Sequence, residues 1–350
     1  MVRLIKREEI SKATRIKIMI FAIIFALIIA GGFIEILGYN PIEIFGAMLK
    51  GSLGSPNRIR QTIINAIPLV VTAVGISVAF KMQFWNIGGE GQILMGALGA
   101  TLVALNMSTL SKPVLLLLMV IAALIFGAFW AAISGVLKVY FNTNETIVTL
   151  MLNYIALKFI TYLQYGPLRD KKAMNFPKIP NFSENAILPS LFNVHIGWII
   201  AIIIVIVFYI IMKHSKLGYE ISVLGESQNT ARYAGISINK TILKAIGISG
   251  ALCGLTGFIQ ASAVSQTLST EISGGVGYTA IIVAWLSNLN SIAILLVSFL
   301  FATLVQGGSY IQTAFGIPNA AASVIQALLL FFVLGSDLFM KYKIAIRRTK

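Results

Sequence analysis

Ten apolar runs recur along the chain, at residues 18–37, 61–80, 88–107, 113–139, 145–165, 196–212, 241–264, 276–287, 292–311 and 320–339. They are continuously apolar, without the period-2 alternation of barrel strands, so each predicts a helix. A membrane-crossing helix needs about 20 such residues. The run 276–287 is too short to cross comfortably and predicts a tilted helix, or one that shares residues with its neighbours. From Ile272 to Ser336 there is no Lys, Arg, Asp or Glu. The fold class expected is an all-α polytopic membrane protein, one transmembrane domain over 1–350.

Composition agrees with this pattern. Of 350 residues, 57% are hydrophobic and 11% charged, and the mean hydropathy is +0.88. A soluble domain is about 25% charged, so a soluble enzyme, a disordered chain and a coiled coil are all excluded. The basic tail 1–17 before the first run mimics a signal peptide. The run that follows is as long as a helix needs and no A-x-A site ends it, so it reads as an uncleaved first span.

The positions of charge set a direction. With the N-terminus in the cytoplasm, 18 of the 27 Lys and Arg residues fall on cytoplasmic segments. That asymmetry predicts both ends inside and an even number of crossings. The net charge of +15 is explained by this anchoring, and no nucleic-acid partner is expected. Two long polar segments break the pattern. Residues 166–195 carry four prolines and read as a structured outer loop; residues 213–240 form the largest cytoplasmic feature.

The chain contains one internal echo. Gly88-Gly89-Glu90-Gly91 and Gly274-Gly275-Val276-Gly277 both lead into an apolar run, five runs apart. An odd separation reverses direction, so two inverted five-helix halves are expected. Glycine-interrupted helices at corresponding positions point to a transport site, because a broken helix leaves backbone N–H groups able to bind a polar substrate. Close glycine packing between helices is the other reading.

Catalytic chemistry is missing from the sequence. There is no phosphate loop, no H-E-x-x-H, and one cysteine, Cys253, which reads as a small core residue. His195 and His214 flank the sixth run and read as solvated polar residues. No enzyme, metal or cofactor is expected of this chain. Among acids at membrane depth, Glu145 behind Asn144 reads as a helix cap, and Glu90 is the one weighted toward function. The run 272–336 offers no acid or base to bind a coupling proton or sodium ion. Energy is therefore expected from outside, through 213–240. A stand-alone ion-coupled secondary transporter is the alternative.

Four stretches carry a resemblance: FWNIGGEGQ at 84–92, NETIVTLMLNYI at 144–155, GESQNTARYAGI at 225–236 and GYTAIIVAWL at 277–286. Together they resemble the membrane permease of a bacterial ABC importer for nucleosides and simple sugars, in the branched-chain amino acid, ribose and nucleoside permease superfamily. They look most like the longer permease of nucleoside importers fed by a basic-membrane-lipoprotein type receptor. Ser227 and Gln228 stand where that family has Asn-Pro, and Trp85 where it often has Asn directly after Phe. The resemblance implies a ten-helix fold in the bacterial cytoplasmic membrane. It implies a second related permease, an ATP-binding subunit that holds the ATP, and an external substrate-binding lipoprotein, besides the surrounding membrane lipid. It also implies a coupling helix, expected at 218–235, with Glu220, Gly225, Glu226, Arg232 and Gly235 toward the ATPase. A nucleoside needs aromatic faces and hydrogen-bonding groups. The pathway candidates are Phe84, Trp85, Asn86, Glu90, Gln92, Asn153, Tyr278, Trp285 and Asn288, with the helix-break glycines Gly88, Gly89, Gly91, Gly274, Gly275 and Gly277.

Overall fold

Each of the ten apolar runs coincides with a helix. The structure, a computed structural model, describes residues 2–6, 11–174 and 176–346. In chain order the elements are β1 (Val2–Lys6), α1 (Lys12–Ile36), α2 (Pro41–Leu53), α3 (Pro56–Lys81), α4 (Gly89–Asn106), α5 (Lys112–Phe141) and α6 (Glu145–Tyr165). A short hairpin, β2 (Ser190–Leu191) and β3 (Val194–His195), precedes α7 (Gly197–His214), α8 (Lys216–Glu226) and α9 (Gln228–Tyr233). Then come α10 (Ile238–Ile259), continued as a π-helical turn Gln260–Ser265, α11 (Val276–Leu286), α12 (Ser291–Phe315), α13 (Asn319–Lys341) and β4 (Tyr342–Ile346). Of the tail 1–17, residues 1 and 7–10 lie outside the described residues.

Among the described residues, six helices are long and apolar enough to cross a membrane: α3, α5, α6, α7, α10 with its π-turn, and α12. A seventh is possible if Ile20–Ile36 and Pro41–Leu53, bent by 110°, are one span. The protein is a multi-pass membrane protein. α2 lies between the first two apolar runs, where no apolar run marks it. The cause of the bend is local: Gly38 takes a φ of +86°, and Asn40 accepts a hydrogen bond from Ile42 N–H ahead of Pro41.

By packing, the chain divides into two compact units. One comprises Met1–Thr62 and Ala302–Lys350. Here Ala26, Ala30 and Ile34, four residues apart on α1, are fully buried in a cluster with Ile44 and Met48 of α2 and Ala322 and Ile325 of α13. Phe21, Ile24 and Ile28 of α1 stay exposed, as an apolar face turned to lipid should. β1 pairs antiparallel with β4 in the same unit.

The other unit is Ile63–Phe301. Its centre is α4, α5 and α10, packed through small residues. A side-chain carbon on Gly254 of α10 would strike the Ala123 carbonyl and Gly127 of α5. Such close backbone approach replaces the hydrophobic drive that is absent between helices in lipid. On α5, Leu115, Met119, Ala123 and Ala131 face inward, while Leu117, Ile121, Ile125 and Phe129 face out. Residues 186–188 are held against the end of α10: the Ser262 hydroxyl donates to Ala186 O at 2.6 Å and accepts from Leu188 N–H at 3.1 Å.

Candidate functional site

The first glycine motif begins where α3 stops. Gln83 has a φ of +60°, and the chain runs without regular helix to α4. Polar side chains from three helices hold this break. Asn86 is fully buried. Its Oδ1 accepts from Gly88 N–H at 3.0 Å and from Gln92 Nε2 at 2.9 Å. Its Nδ2 donates to Gln92 Oε1 at 3.1 Å and to Ser249 Oγ of α10 at 3.0 Å. Asn153 of α6 accepts from Gly91 N–H at 2.8 Å and donates to Ile87 O at 2.9 Å and Tyr278 Oη at 3.3 Å. Thr149, one turn before Asn153, accepts from Ile87 N–H at 3.2 Å. Buried backbone groups at a broken helix need such partners.

The second motif meets the first. After the π-helical turn, Gln266 has a φ of +53°, and residues 266–275 return as an irregular segment to the start of α11. There the Glu90 carboxylate, from the second residue of α4, accepts Gly275 N–H at 2.9 Å on Oε1 and Gly277 N–H at 2.7 Å on Oε2. A carboxylate at a helix N-terminus gains from the helix dipole and from charge-assisted bonds. The approach requires glycine at 277, since any side chain there would strike Glu90 N and Oε2. The N–H groups freed at both breaks are therefore held by Glu90, Asn86 and Asn153.

Beside this junction lies a cavity of about 630 Å³, lined by Glu90, Asn153, Tyr154, Thr270, Glu271, Ser273, Gly274, Gly275 and Tyr278 among others. The lining carries carboxylate, amide and hydroxyl groups on a largely apolar surface. A second cluster sits at the far end of α11, about 13 Å along the helix. There Trp85 and Trp285 stack with centroids 5.4 Å apart and planes at 20°, and Phe80 lies 5.2 Å from Trp85.

The nine pathway candidates thus fall into groups. Glu90, Asn153 and Tyr278 line the cavity; Asn86 and Gln92 brace the break behind it; Trp85 and Trp285 form the aromatic stack. Phe84 is buried in the core beneath α8 and α9, with Ile221, Leu224 and Ala231. Asn288 lies exposed in the turn after α11, with a φ of +46°. Thr149 and Ser249, unremarked in the sequence reading, complete the bracing. Both sat as ordinary helix residues with nothing local to mark their distant partners.

Two acid and histidine readings are refined. Asn144 caps α6, accepting from Thr146 N–H at 3.0 Å, while Glu145 pairs with Lys138 at 2.9 Å. His195 is buried rather than solvated, because the β2–β3 hairpin folds its ring against Gly197 at the start of α7. Neither ring nitrogen has a hydrogen-bond partner among the described residues, and burial pushes its pKa down to about 4. His214 is exposed, and Cys253 is fully buried.

Segment 213–240 folds as two helices, not one. Ser227 is extended, with a φ of −162°, and its hydroxyl accepts from Thr230 N–H at the start of α9. Ile221, Leu224 and Ala231 are buried, which anchors both helices. Glu226, Arg232, Tyr233 and Gly235 are exposed. Glu220 turns inward, accepting from the Thr241 hydroxyl at 3.2 Å. Gly225 packs on the Lys81 carbonyl, and Gln83 Nε2 donates to Gly225 O.

Residues 58–334 match the family model described as branched-chain amino acid transport system / permease component. A glucose ABC transporter permease protein of Haloferax volcanii is 32% identical over 340 residues, covering 93% of this chain and 89% of that protein. A nucleoside ABC transporter permease protein of Lactococcus lactis subsp. cremoris is 32% identical over 334 residues, covering 92% of each. A guanosine ABC transporter permease protein of Bacillus subtilis is 28% identical over 338 residues, covering 93% of this chain and 95% of that protein.

Proposed function

Since the chain belongs to this ABC transporter permease family, we propose that it forms the translocation path of an ATP-driven importer of nucleosides or related simple sugars. The observation that carries the substrate class is the cavity at the Glu90 junction. Its carboxylate, amide and hydroxyl groups suit the hydroxyls of a sugar or ribose, and Tyr278, with the Trp85–Trp285 stack further along α11, offers aromatic faces. Two carboxylates, Glu90 and Glu271, disfavour a phosphorylated solute. The relatives' names support the same class: they are permeases for glucose, nucleosides and guanosine. The ion-coupled carrier is not favoured.

The family implies an ATPase partner. In the proposed assembly that subunit binds ATP, this chain carries no cofactor, a second related permease completes the path, and a substrate-binding lipoprotein delivers the solute from outside a bacterial cytoplasmic membrane. We take the chain to cross ten times with both ends inside. Support comes from the ten helices on ten apolar runs, the 18 of 27 basic residues on one side, and the pairing of β1 with β4, which holds the two ends together.

Glu226 and Arg232, exposed on successive short helices, are the proposed ATPase contacts; Glu220 and Gly225 act from behind, fixing α8 against α10 and α3. Removing one partner of a desolvated interfacial ion pair costs about 2–5 kcal/mol. In cells expressing the whole importer, Glu226→Ala with Arg232→Ala is expected to abolish uptake of labelled nucleoside or glucose and weaken co-purification of the ATPase. Membrane levels should stay normal. Undiminished uptake in the double variant overturns the coupling assignment; uptake driven by a proton or sodium gradient without the ATPase overturns the importer.

A further inference from the structure

A pocket of about 480 Å³ lies where α5 ends and α9 and α10 begin, apart from the Glu90 cavity. Its polar lining is cationic and amide-rich: Lys138, Arg232 and Lys240, with Asn142, Gln228 and Asn239. Lys138 already holds Glu145 at 2.9 Å. Arg232 and Lys240 have no ion pair among the described residues, and no carboxylate lines the pocket. Two cations facing one concavity repel each other, and an anion between them removes that cost.

The pocket sits at headgroup depth. α5 has 30 residues, so it is about 45 Å long and reaches past the roughly 30 Å hydrocarbon core. Tyr140 and Phe141, 69% and 71% exposed, follow Lys138 at its end, the placement of interfacial aromatic anchors. Val139 and Ile242 supply the apolar part of the lining, packed on the core beneath α8 and α9. The first turn of α10 opens into the same space, behind a Ser237 whose side chain caps nothing. Backbone N–H groups there add to the cations but do not carry the site alone.

We propose that this pocket binds the phosphate of an anionic membrane lipid, with Lys240 on the phosphate, Arg232 adding only to the positive field, and the acyl chains lying along the exposed face of α5. Under the orientation proposed above, the lipid belongs to the cytoplasmic leaflet.

The test uses the detergent-purified importer and native mass spectrometry. Dioleoyl phosphatidylglycerol, dioleoyl phosphatidylcholine and inorganic phosphate are added in turn. Phosphatidylglycerol is expected to be retained preferentially, and Lys240→Gln to lower that retention about fivefold, the effect of one basic residue near an anionic headgroup. Lys171→Gln, in the segment 166–195, should leave it unchanged. Equal retention of the two lipids, or no change in Lys240→Gln, overturns the proposal. Displacement of the lipid by millimolar inorganic phosphate would assign the pocket to a free anion instead. Loss of the ATPase from Lys240→Gln with lipid retention intact would assign it to the protein partner, and the lipid site would fall.

Discussion

Replacing Glu90 by alanine removes one side chain and strips two backbone donors of their acceptor. Gly275 N–H and Gly277 N–H, at 2.9 and 2.7 Å from the two carboxylate oxygens, lie at the start of a partly buried eleven-residue helix of unit Ile63–Phe301. Hydrogen bonds to a charged group contribute about 1.5–3 kcal/mol each. Taking about 2 kcal/mol per bond, and about tenfold per 1.4 kcal/mol, amide exchange at 275–277 should accelerate by about 30-fold in Glu90→Ala. Glu90→Gln keeps one acceptor oxygen, so only one of the two amides should lose protection. Hydrogen–deuterium exchange of the protein in nanodiscs, followed on peptides spanning 266–280, reads this directly. Uptake should fall in Glu90→Ala while the protein still accumulates, because the glycine-packed centre of α4, α5 and α10 is untouched. If exchange at 275–277 is the same in Glu90→Ala and the parent protein, the carboxylate does not hold the α11 terminus and the junction has been misread.

Further outcomes follow from single contacts. Gly254→Val should prevent accumulation in the membrane, since its side chain would enter the Ala123 carbonyl, whereas Gly247→Ala, with nothing within 4 Å, should raise the thermal midpoint by reducing chain entropy, worth about 0.5–1 kcal/mol. In a Cys253→Ala background, cysteines at the exposed Ser190 and Asn229 should react with an impermeant maleimide from opposite sides of the membrane; same-side labelling refutes the orientation. His195, neutral in the fold with a pKa near 4 against an ordinary 6.5, binds a proton more readily when its hairpin opens. Stability of the 190–195 hairpin should thus be full above pH 6.5 and fall as pH drops toward 4, measured by proteolysis, and His195→Gln should flatten that dependence.

The helices were legible because lipid imposes a simple rule on sequence. Every run of some 20 apolar residues had to satisfy its backbone internally, so runs became helices with boundaries close to those read. Where the rule gives no signal, the reading failed. Residues 41–53 contain Glu43 and Lys50 and follow a Gly–Tyr–Asn–Pro turn, so no apolar run marks them as a helix, yet Ile44 and Met48 bury against α1 and α13. The split of 213–240 turned on one residue. Ser227 offers a hydroxyl that caps α9 only if its own backbone leaves the helix, a local competition that periodicity does not register.

The site was half legible for a different reason. The two glycine motifs could be matched by spacing, and their freed N–H groups could be anticipated from helix geometry. What sequence does not encode locally is who takes those groups. Glu90 and Gly277 are 187 residues apart, and their contact exists only after two inverted elements fold against each other. The same folding brings the proposed energy input within reach of the site. Gly225 of α8 lies on the Lys81 carbonyl with no room for a side chain, Gln83 bonds back to it, and Phe84 shares a core with Ile221 and Leu224. Residues 81–84 lead directly into the segment braced by Asn86 and ended by Glu90. A shift of α8 cannot be absorbed in packing this close, because the glycine contact is backbone against backbone and the side chains between are buried. Under the proposed coupling role, the displacement would be passed along 81–88 to the carboxylate that holds α11. The cavity beside Glu90 would change shape without any rearrangement of the helix core, which makes Gln83, rather than a residue of the cavity itself, the position where coupling and binding should separate.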